Sequence, residues 1–259
     1  MELLSIIKVG GKVVEEPESL NQLLTDFVAL PGYKLLVHGG GRTATQIAAK
    51  LGIETVMVEG RRVTDAETLK VVTMVYAGLV NKTIVASLQA LNCNAIGLTG
   101  ADLNLILAKK RENAQINYGF VGDIVSVQAN EAAMLIKQNV VPVVSPITHN
   151  GKGLLLNTNA DTVASELARA LSSFFDVNLI YCFEKPGVML DQNDEQSVLS
   201  ELTYASFKSL QKRGVINEGM IPKLDNGFAA IKAGVKNVVV TNTKGLSQGK
   251  LEGTFLKMD

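Results

Sequence analysis

The chain has 259 residues, a length that suits one large domain or two closely packed lobes. Lysine and arginine number 25, as do aspartate and glutamate, so the formal net charge is zero. This balance excludes a general nucleic-acid binder, which needs a basic excess, and 47% apolar residues exclude a disordered chain.

Short β-branched runs alternate with helical patterns along the chain. Strands are predicted at residues 4–9, 34–37, 140–144, 179–183 and 237–240. Helices are predicted at residues 19–30, 43–51, 161–174, 204–213 and 224–234. Residues 55–63 and 118–127 are predicted as antiparallel hairpins, and Thr64-Asp65-Ala66-Glu67 resembles a capping box that opens a helix through residue 80.

This alternation predicts an α/β fold, with helices on both faces of a mainly parallel open sheet. We expect two lobes that share one sheet, an N-terminal lobe of residues 1–175 and a C-terminal lobe of residues 176–259. No run approaches 18 apolar residues and the N-terminus does not resemble a signal peptide, so we expect a cytoplasmic protein without a membrane span. Cys93 and Cys182 lie in apolar surroundings and are expected to be buried and reduced.

Three familiar motifs can be set aside. Gly39–Ala44 fits the dinucleotide pattern G-x-G-x-x-A, but a strand and a helix precede it, whereas that fingerprint follows the first strand of its unit. Gly245–Gly249 fits G-x-S-x-G, but no histidine follows Ser247, as a hydrolase of that type requires. The phosphate-binding pattern G-x-x-x-x-G-K-[ST] is absent from the sequence.

Glycines and lysines gather at the predicted strand ends. Lys8 precedes Gly10-Gly11 at the end of the first strand, and Gly39-Gly40-Gly41 follows the second. Lys223 stands at the entrance to a helix. Because ligands of open α/β sheets bind at the carboxyl ends of the strands, we expect these amides and cations to surround an anion. The set suits phosphoryl transfer by positioning and charge neutralisation.

These segments together resemble the amino-acid kinase family, and in particular its acylglutamate branch. The resemblance runs over nearly the whole chain. The matching segments are Ile7–Gly11, Val37–Gly41, Gly60–Thr64, Asn81-Lys82, Gly97–Gly100, Val121–Asp123, Pro142–Pro146, Asn157–Asp161 and Gly219–Lys223.

The resemblance implies the amino-acid kinase fold, a three-layer αβα sandwich, and transfer of the γ-phosphoryl of MgATP to the side-chain carboxylate of N-acetyl-L-glutamate. It implies that Lys8 and Lys223 approach the migrating phosphoryl from two sides, with Asp161 holding both ammonium groups. By the same similarity, the amides of Gly11, Gly40 and Gly41 line the phosphoryl and the acceptor carboxylate. Arg62 would pair with the α-carboxylate, and Asn157 with the α-carboxylate and the amide.

The nucleotide is expected on the C-terminal lobe, with Mg²⁺ held mainly by the ATP phosphates and not by protein ligands. The residues implied to contact ATP are Gly10, Glu184, Lys185, Gly187, Val215, Ile216, Asn217 and Gly219. Arginine-inhibited hexameric members carry an N-terminal helix ahead of the first strand, and here Lys8 follows only seven residues. We therefore expect a homodimer without arginine feedback.

Several functions remain open at this point. Another N-acyl glutamate, such as the N-succinyl compound, is an alternative acceptor, and so are the acids or carbamate used elsewhere in the superfamily. A non-catalytic amino-acid sensor on the same fold is a different class of function. The joint presence of Lys8, Asp161 and Lys223 disfavours the sensor.

Overall fold

One sheet of eight strands takes strands from both halves of the chain, and six further strands form two smaller sheets. The computed structural model describes residues 1–58, 60–216 and 219–259. In these ranges the strands are β1 (Leu3–Val9), β2 (Tyr33–His38), β3 (Met57–Val58), β4 (Arg61–Arg62), β5 (Ala95–Leu98), β6 (Ile106–Lys110), β7 (Gly122–Val127), β8 (Val141–Val144), β9 (Ile147–His149), β10 (Leu155–Asn157), β11 (Asp176–Phe183), β12 (Glu201–Thr203), β13 (Asn237–Asn242) and β14 (Thr254–Lys257).

The helices of the same ranges connect and cover these strands. They are α1 (Gly11–Glu15), α2 (Pro17–Ala29), α3 (Gly41–Lys50), α4 (Ala66–Val72), α5 (Asn81–Ala90), α6 (Ala129–Lys137), α7 (Ala160–Leu171), α8 (Tyr204–Lys212) and α9 (Ile221–Lys232). A π-helical segment, Thr73–Val80, joins α4 to α5 into one long helical stretch. Short 3-10 helices lie at Asp102–Asn104, Glu195–Ser197 and Lys244–Gly249.

The large sheet has the strand order β12-β14-β13-β11-β1-β2-β8-β5. Every neighbouring pair is parallel except β13 and β14. The parallel pairing of β1 with β11 joins strands from the two halves of the chain near the centre of the sheet. The prediction of a mainly parallel sheet is therefore confirmed.

Strand β1 is buried on both faces, which explains its unbroken apolar run. Leu4 and Ile6 belong to one core cluster, and Ile7 and Val9 belong to a second cluster on the opposite face. Successive side chains of a strand point to opposite faces, so one strand serves both layers of helices. The first cluster includes residues of α6 to α9, and the second includes residues of α2 to α5.

Two local predictions need correction. Residues 118–127 do not form a hairpin by themselves, because β7 pairs antiparallel with β6, an element that the sequence analysis did not identify. The helix that follows Arg62 is capped by Asp65, whose side chain accepts from the Thr68 amide. Thr64 instead donates its hydroxyl to the Arg62 carbonyl, so the predicted capping box begins at the wrong residue.

Two further expectations are modified. The helical stretch Ala66–Ala90 is long and apolar enough to cross a membrane by length and composition, with a mean hydropathy of 1.5 over its most apolar window. One such helix is weak evidence of a membrane span, because core helices of soluble proteins pass the same test of length and composition, and 44% of this window is buried inside the fold. Both cysteines are free, but only Cys182 is buried and Cys93 is half-buried.

Candidate functional site

The centre of the site is a carboxylate held between two ammonium groups. Lys8 Nζ lies 2.7 Å from Asp161 Oδ1, and Lys223 Nζ lies 3.1 Å from Asp161 Oδ2. The Lys223 ammonium also donates to the Gly219 carbonyl at 3.4 Å. Lys8 and Asp161 are both buried. A buried ion triad of this kind needs all of its members, because one unpaired buried charge is costly.

The elements bring these three residues together for simple reasons. Lys8 shares a face of β1 with Leu4 and Ile6, which is the face that α7 covers. Asp161 lies in the first turn of α7, where Asn159 caps the helix by accepting from the amides of residues 161 and 162. Helix α9 packs against α7 and carries Lys223 in its own first turn.

Asp161 is ionised at neutral pH. Burial raises the pKa of its carboxyl, but the neighbouring charges of Lys8 and Lys223 outweigh that effect and hold the pKa below its ordinary value. The cluster therefore carries two positive charges and one negative charge, and it presents a net positive charge to the adjoining cavity.

A cavity of about 470 Å³ opens beside the triad. Two glycine loops line it: the first is Gly10-Gly11 and the second is Gly39-Gly40-Gly41. The loops adjoin each other, because a Cβ placed at Gly39 would lie 3.9 Å from the Gly11 nitrogen. Among the described residues, no acceptor takes the amides of Gly40 or Gly41. The predicted site residues that line this cavity are Lys8, Gly10, Gly11, Gly40, Gly41, Arg62, Glu184 and Lys223.

The second glycine loop needs glycine at its middle position. Gly40 has a φ of +150°, and a Cβ there would lie 2.9 Å from the ring of Tyr76. Helix α3 begins directly afterwards at Gly41, so its first amides face the same region. The carboxylate of Glu15 in α1 accepts from the Thr43 amide at 2.8 Å, which ties the helices that follow the two loops.

Arg62 is buried and is held by three hydrogen bonds. Its Nη1 donates to Thr55 Oγ1 at 3.0 Å, and its Nη2 donates to the Gly41 carbonyl at 2.7 Å and to Thr45 Oγ1 at 2.8 Å. Its Nε is buried without a partner among the described residues. The guanidinium is thus fixed in place, and Arg62 lines both cavities of the site.

A smaller cavity of about 160 Å³ adjoins the glycine loop on the side of Arg62. Asn157 lines it and donates from Nδ2 to Thr64 Oγ1 at 2.9 Å, which links the two predicted acceptor-binding segments. The cavity wall has both polar and apolar members. It includes Gly40, Gly41, Met57, Arg61, Arg62, Tyr76, Val121, Pro146 and residues 157–160.

The predicted nucleotide residues are only partly brought together. Lys185, Gly187 and Ile216 line a small cleft of about 20 Å³, whereas Gly10 and Glu184 line the central cavity. Val215 lines neither and packs beside the core. Gly219 meets the site through its carbonyl, which accepts from Lys223. Asn217 lies outside the described residues.

The residues that support the second glycine loop on its buried side carry no signal in the sequence. Tyr76 lies in the π-helical segment and forms a wall of the smaller cavity. Asn81 belongs to one of the segments that resemble the family, and it contacts the buried His38. Thr45 and Thr55 orient Arg62. No local pattern marks these four residues, because their contacts join segments distant in sequence.

Comparison with known proteins agrees with the fold. The sequence profile of the amino acid kinase family matches residues 4–242. An acetylglutamate kinase of Phocaeicola vulgatus is 61% identical over 256 residues, 99% of each chain, and one of Parabacteroides distasonis is 60% identical over 96% of this chain and 98% of its own.

Among solved structures, the carbamate kinase of Giardia lamblia bound to AMP-PNP superposes with a TM-score of 0.70 at 14% identity. The superposition covers 99% of this chain and 98% of that one. At this identity the likeness concerns the fold alone. The profile match and the two relatives of high identity establish that the chain belongs to the amino acid kinase family.

Proposed function

We propose that this protein is an acetylglutamate kinase, which transfers the γ-phosphoryl group of ATP to the side-chain carboxylate of N-acetyl-L-glutamate. The product is N-acetyl-L-glutamyl 5-phosphate, an intermediate of arginine and ornithine biosynthesis. The observation that carries the proposal is the Lys8–Asp161–Lys223 triad beside the two glycine loops, where the amides of Gly40 and Gly41 have no acceptor among the described residues. Relatives named acetylglutamate kinase that are about 60% identical over nearly the whole chain support the choice of substrate.

The reaction needs no general base. The acceptor is a carboxylate, which is already ionised at neutral pH. The barrier comes from bringing one anion up to another, so catalysis depends on cations and amides placed around the migrating group. Lys8 and Lys223 would supply two such charges, and the amides of Gly11 and Gly40 would donate to the phosphoryl oxygens.

Asp161 would act by holding the two lysines. Both of its carboxylate oxygens are engaged, one by each ammonium. Fixed in this way, the lysines need not reorganise as charge moves from the γ-phosphoryl to the leaving oxygen. This preorganisation is the contribution we assign to the carboxylate, which itself receives no phosphoryl.

The acceptor would lie in the cavity next to the second glycine loop. Arg62 is suited to the α-carboxylate because a planar guanidinium matches carboxylate geometry and remains charged. Asn157 lies on the same cavity wall and would contact the α-carboxylate and the acyl amide. The ring of Tyr76 closes the cavity beside Gly40 and Gly41.

ATP would bind with its phosphates in the central cavity and its remaining parts on the C-terminal lobe, residues 176–259. Lys223 and Gly10 suit the phosphates, and Lys185, Gly187 and Ile216 suit the nucleoside. Among the described residues, no cluster of three or more histidine, cysteine, aspartate or glutamate side chains could hold a metal ion. As the family resemblance implies, Mg²⁺ would arrive on the ATP phosphates, where it would neutralise charge.

A homodimer in the cytoplasm is the assembly we propose. The exposed side chains of Met74 and Leu79 lie on the helical stretch that packs beside β5, the edge strand, where Ile96 is also exposed. A second copy of the chain would cover this apolar area and the open strand edge. Light scattering should give the mass of two chains, and a mass of one or six chains would contradict the dimer.

The test of function is a coupled assay of ADP release with MgATP and a panel of acceptors. N-acetyl-L-glutamate, N-succinyl-L-glutamate and carbamate are measured side by side at matched concentrations. The proposal expects the highest kcat/KM with the acetyl compound. Binding of that compound without ADP release would favour a sensor, and preference for another acceptor would assign a different kinase.

A further inference from the structure

Behind the second glycine loop lies a buried chain of polar groups that the proposed chemistry does not use. His38 is fully buried and Asn81 is 1% exposed. Asn81 Nδ2 lies 2.9 Å from the Val143 carbonyl oxygen and 3.0 Å from His38 Nε2. His38 Nδ1 lies 2.8 Å from the carbonyl oxygen of Gly39. The groups form one continuous row from strand β8 to the loop.

The order of donors along this row is determined at both ends. The Val143 carbonyl can only accept, so the atom of Asn81 that faces it must be the amide nitrogen. That same nitrogen faces His38 Nε2, which must then be the unprotonated ring nitrogen. The proton of a neutral imidazole accordingly sits on Nδ1, where it donates to the Gly39 carbonyl.

Fixing the Gly39 carbonyl also fixes the next amide. The carbonyl of Gly39 and the N–H of Gly40 belong to one planar trans peptide, so they point in opposite directions. With the oxygen held toward the buried imidazole, the Gly40 N–H is directed away from it, on the side of the cavities that Gly40 lines. That amide has no acceptor among the described residues.

The π-helical segment places the supporting residues together. Tyr76 and Val80 pack against Gly40, where an added Cβ would lie 2.9 and 3.3 Å from them. Asn81 follows Tyr76 by five residues, which is the hydrogen-bond spacing of a π-helix. Residues five apart therefore come close to the same face, and one segment supports both Gly40 and His38.

We propose that Asn81 and His38 are positioning residues, which hold the Gly39–Gly40 peptide so that the Gly40 amide donates to the reacting anion. This inference depends on the proposed kinase function for its kinetic consequence, but the tautomer of His38 can be measured independently. Burial lowers the pKa of His38 to about 4, so the imidazole is neutral at the pH of the reaction.

Three variants separate positioning from simple packing. Asn81→Leu removes the amide while keeping similar volume, and His38→Gln removes the donor at the Nδ1 position. Because an asparagine side chain can place an NH₂ group where Nδ1 stands, His38→Asn should restore the donor to Gly39. We expect kcat to fall about 10- to 100-fold in the first two variants, less than the 10²–10³ of a deleted donor. KM for ATP should stay unchanged.

His38→Asn should recover most of the kcat that His38→Gln loses. Asn21→Leu, an exposed substitution on α2, is the matched control for the asparagine change. Equal losses in His38→Asn and His38→Gln, or losses in KM without kcat, would overturn the positioning role.

The decisive measurement uses the unaltered protein. With only two histidines in the chain, ¹⁵N spectra of the imidazole rings can be assigned from a His149→Asn sample. The inference requires the Nδ1–H tautomer at His38 near neutral pH, and an Nε2–H tautomer or an imidazolium would contradict it even if no variant folds. If the wild-type protein does not phosphorylate N-acetyl-L-glutamate, the proposed function fails while the tautomer result still decides the geometry.

Discussion

Lys8 Nζ lies 2.7 Å from Asp161 Oδ1, and their side chains are only 10% and 8% exposed. The two residues come from the first strand and from a helix that begins more than half-way along the chain. Two oppositely charged groups that are buried together have to be paired, because either one alone would lose its hydration without compensation. The pair therefore fixes a charged point at the carboxyl end of β1, beside both glycine loops.

The first prediction concerns the charge at this point. Lys8→Arg should lower kcat by roughly 10²–10³-fold, because the broad guanidinium fork cannot occupy the place of a compact ammonium. Steady-state kinetics should show a much smaller change in either KM. The exposed substitution Lys50→Arg on α3 serves as the control. A variant with wild-type kcat would remove Lys8 from the phosphoryl site.

A second prediction concerns Arg62, which is held by Thr45, Thr55 and the Gly41 carbonyl. Arg62→Lys should mainly raise the KM for the acyl amino acid, because an ammonium cannot keep these contacts and also pair with the α-carboxylate. The exposed change Arg169→Lys on α7 is the matched control. An unchanged KM would show that the carboxylate binds elsewhere.

A third prediction concerns the centre of the triad. Asp161→Asn leaves two lysines without their shared carboxylate and should destabilise the fold by roughly 3–5 kcal/mol at pH 7. The folded-state pKa of Asp161 is below its ordinary value of 3.8, so its stabilisation is complete above that pH. It is lost as the pH falls through the lowered pKa.

Urea unfolding at several pH values tests the direction in which this stabilisation changes with pH. The stability difference between wild type and Asp161→Asn should be constant at neutral pH and should shrink in strong acid. Asp225→Asn, which removes an exposed ion pair with Lys208, should have little effect throughout. A difference that grows as the pH falls would contradict the ionised carboxylate.

The fourth prediction follows from the burial of His38. Its pKa is about 4 in the folded protein against 6.5 ordinarily, so between these values the unfolded chain binds the proton and the folded chain does not. The free energy of unfolding should therefore fall by roughly 3 kcal/mol from pH 7 to pH 4 on account of this group. His38→Asn should lose this contribution, and a stability difference from wild type that is independent of pH would contradict the buried neutral imidazole.

Much of the fold could be predicted because local patterns of apolar residues indicate the strands and helices. The apolar run at residues 4–9 predicts strand β1, and the alternation of strands with helices predicts the mainly parallel sheet. The sequence does not predict strand β6, because Ile106–Lys110 is short and ends in two lysines. Its antiparallel partner β7 is separated from it by eleven residues, so no tight turn marks the pair. The π-helical segment was missed because its residues are compatible with an ordinary α-helix.

The candidate site likewise contains residues that the sequence could predict and residues that it could not. Lys8, Gly11, Gly40 and Lys223 could be chosen because glycines and lysines at strand ends and helix starts have a recognisable chemistry. Tyr76 could not be predicted as a site residue, because a tyrosine in an apolar helix is ordinarily a core residue. The contact of Asn81 with His38 depends on the three-dimensional approach of α5 to the end of β2, which no spacing along the chain indicates.

The central claim is that the two lysines and the glycine loops together transfer a phosphoryl group to a carboxylate. The most direct measurement incubates the protein with MgATP and N-acetyl-L-glutamate and traps the product with hydroxylamine, which converts an acyl phosphate into a hydroxamate. We predict hydroxamate formation that matches ADP release, requires the acyl amino acid, and is strongly reduced in Lys8→Arg. ADP release without hydroxamate, or hydroxamate formed equally well by Lys8→Arg, would contradict this account.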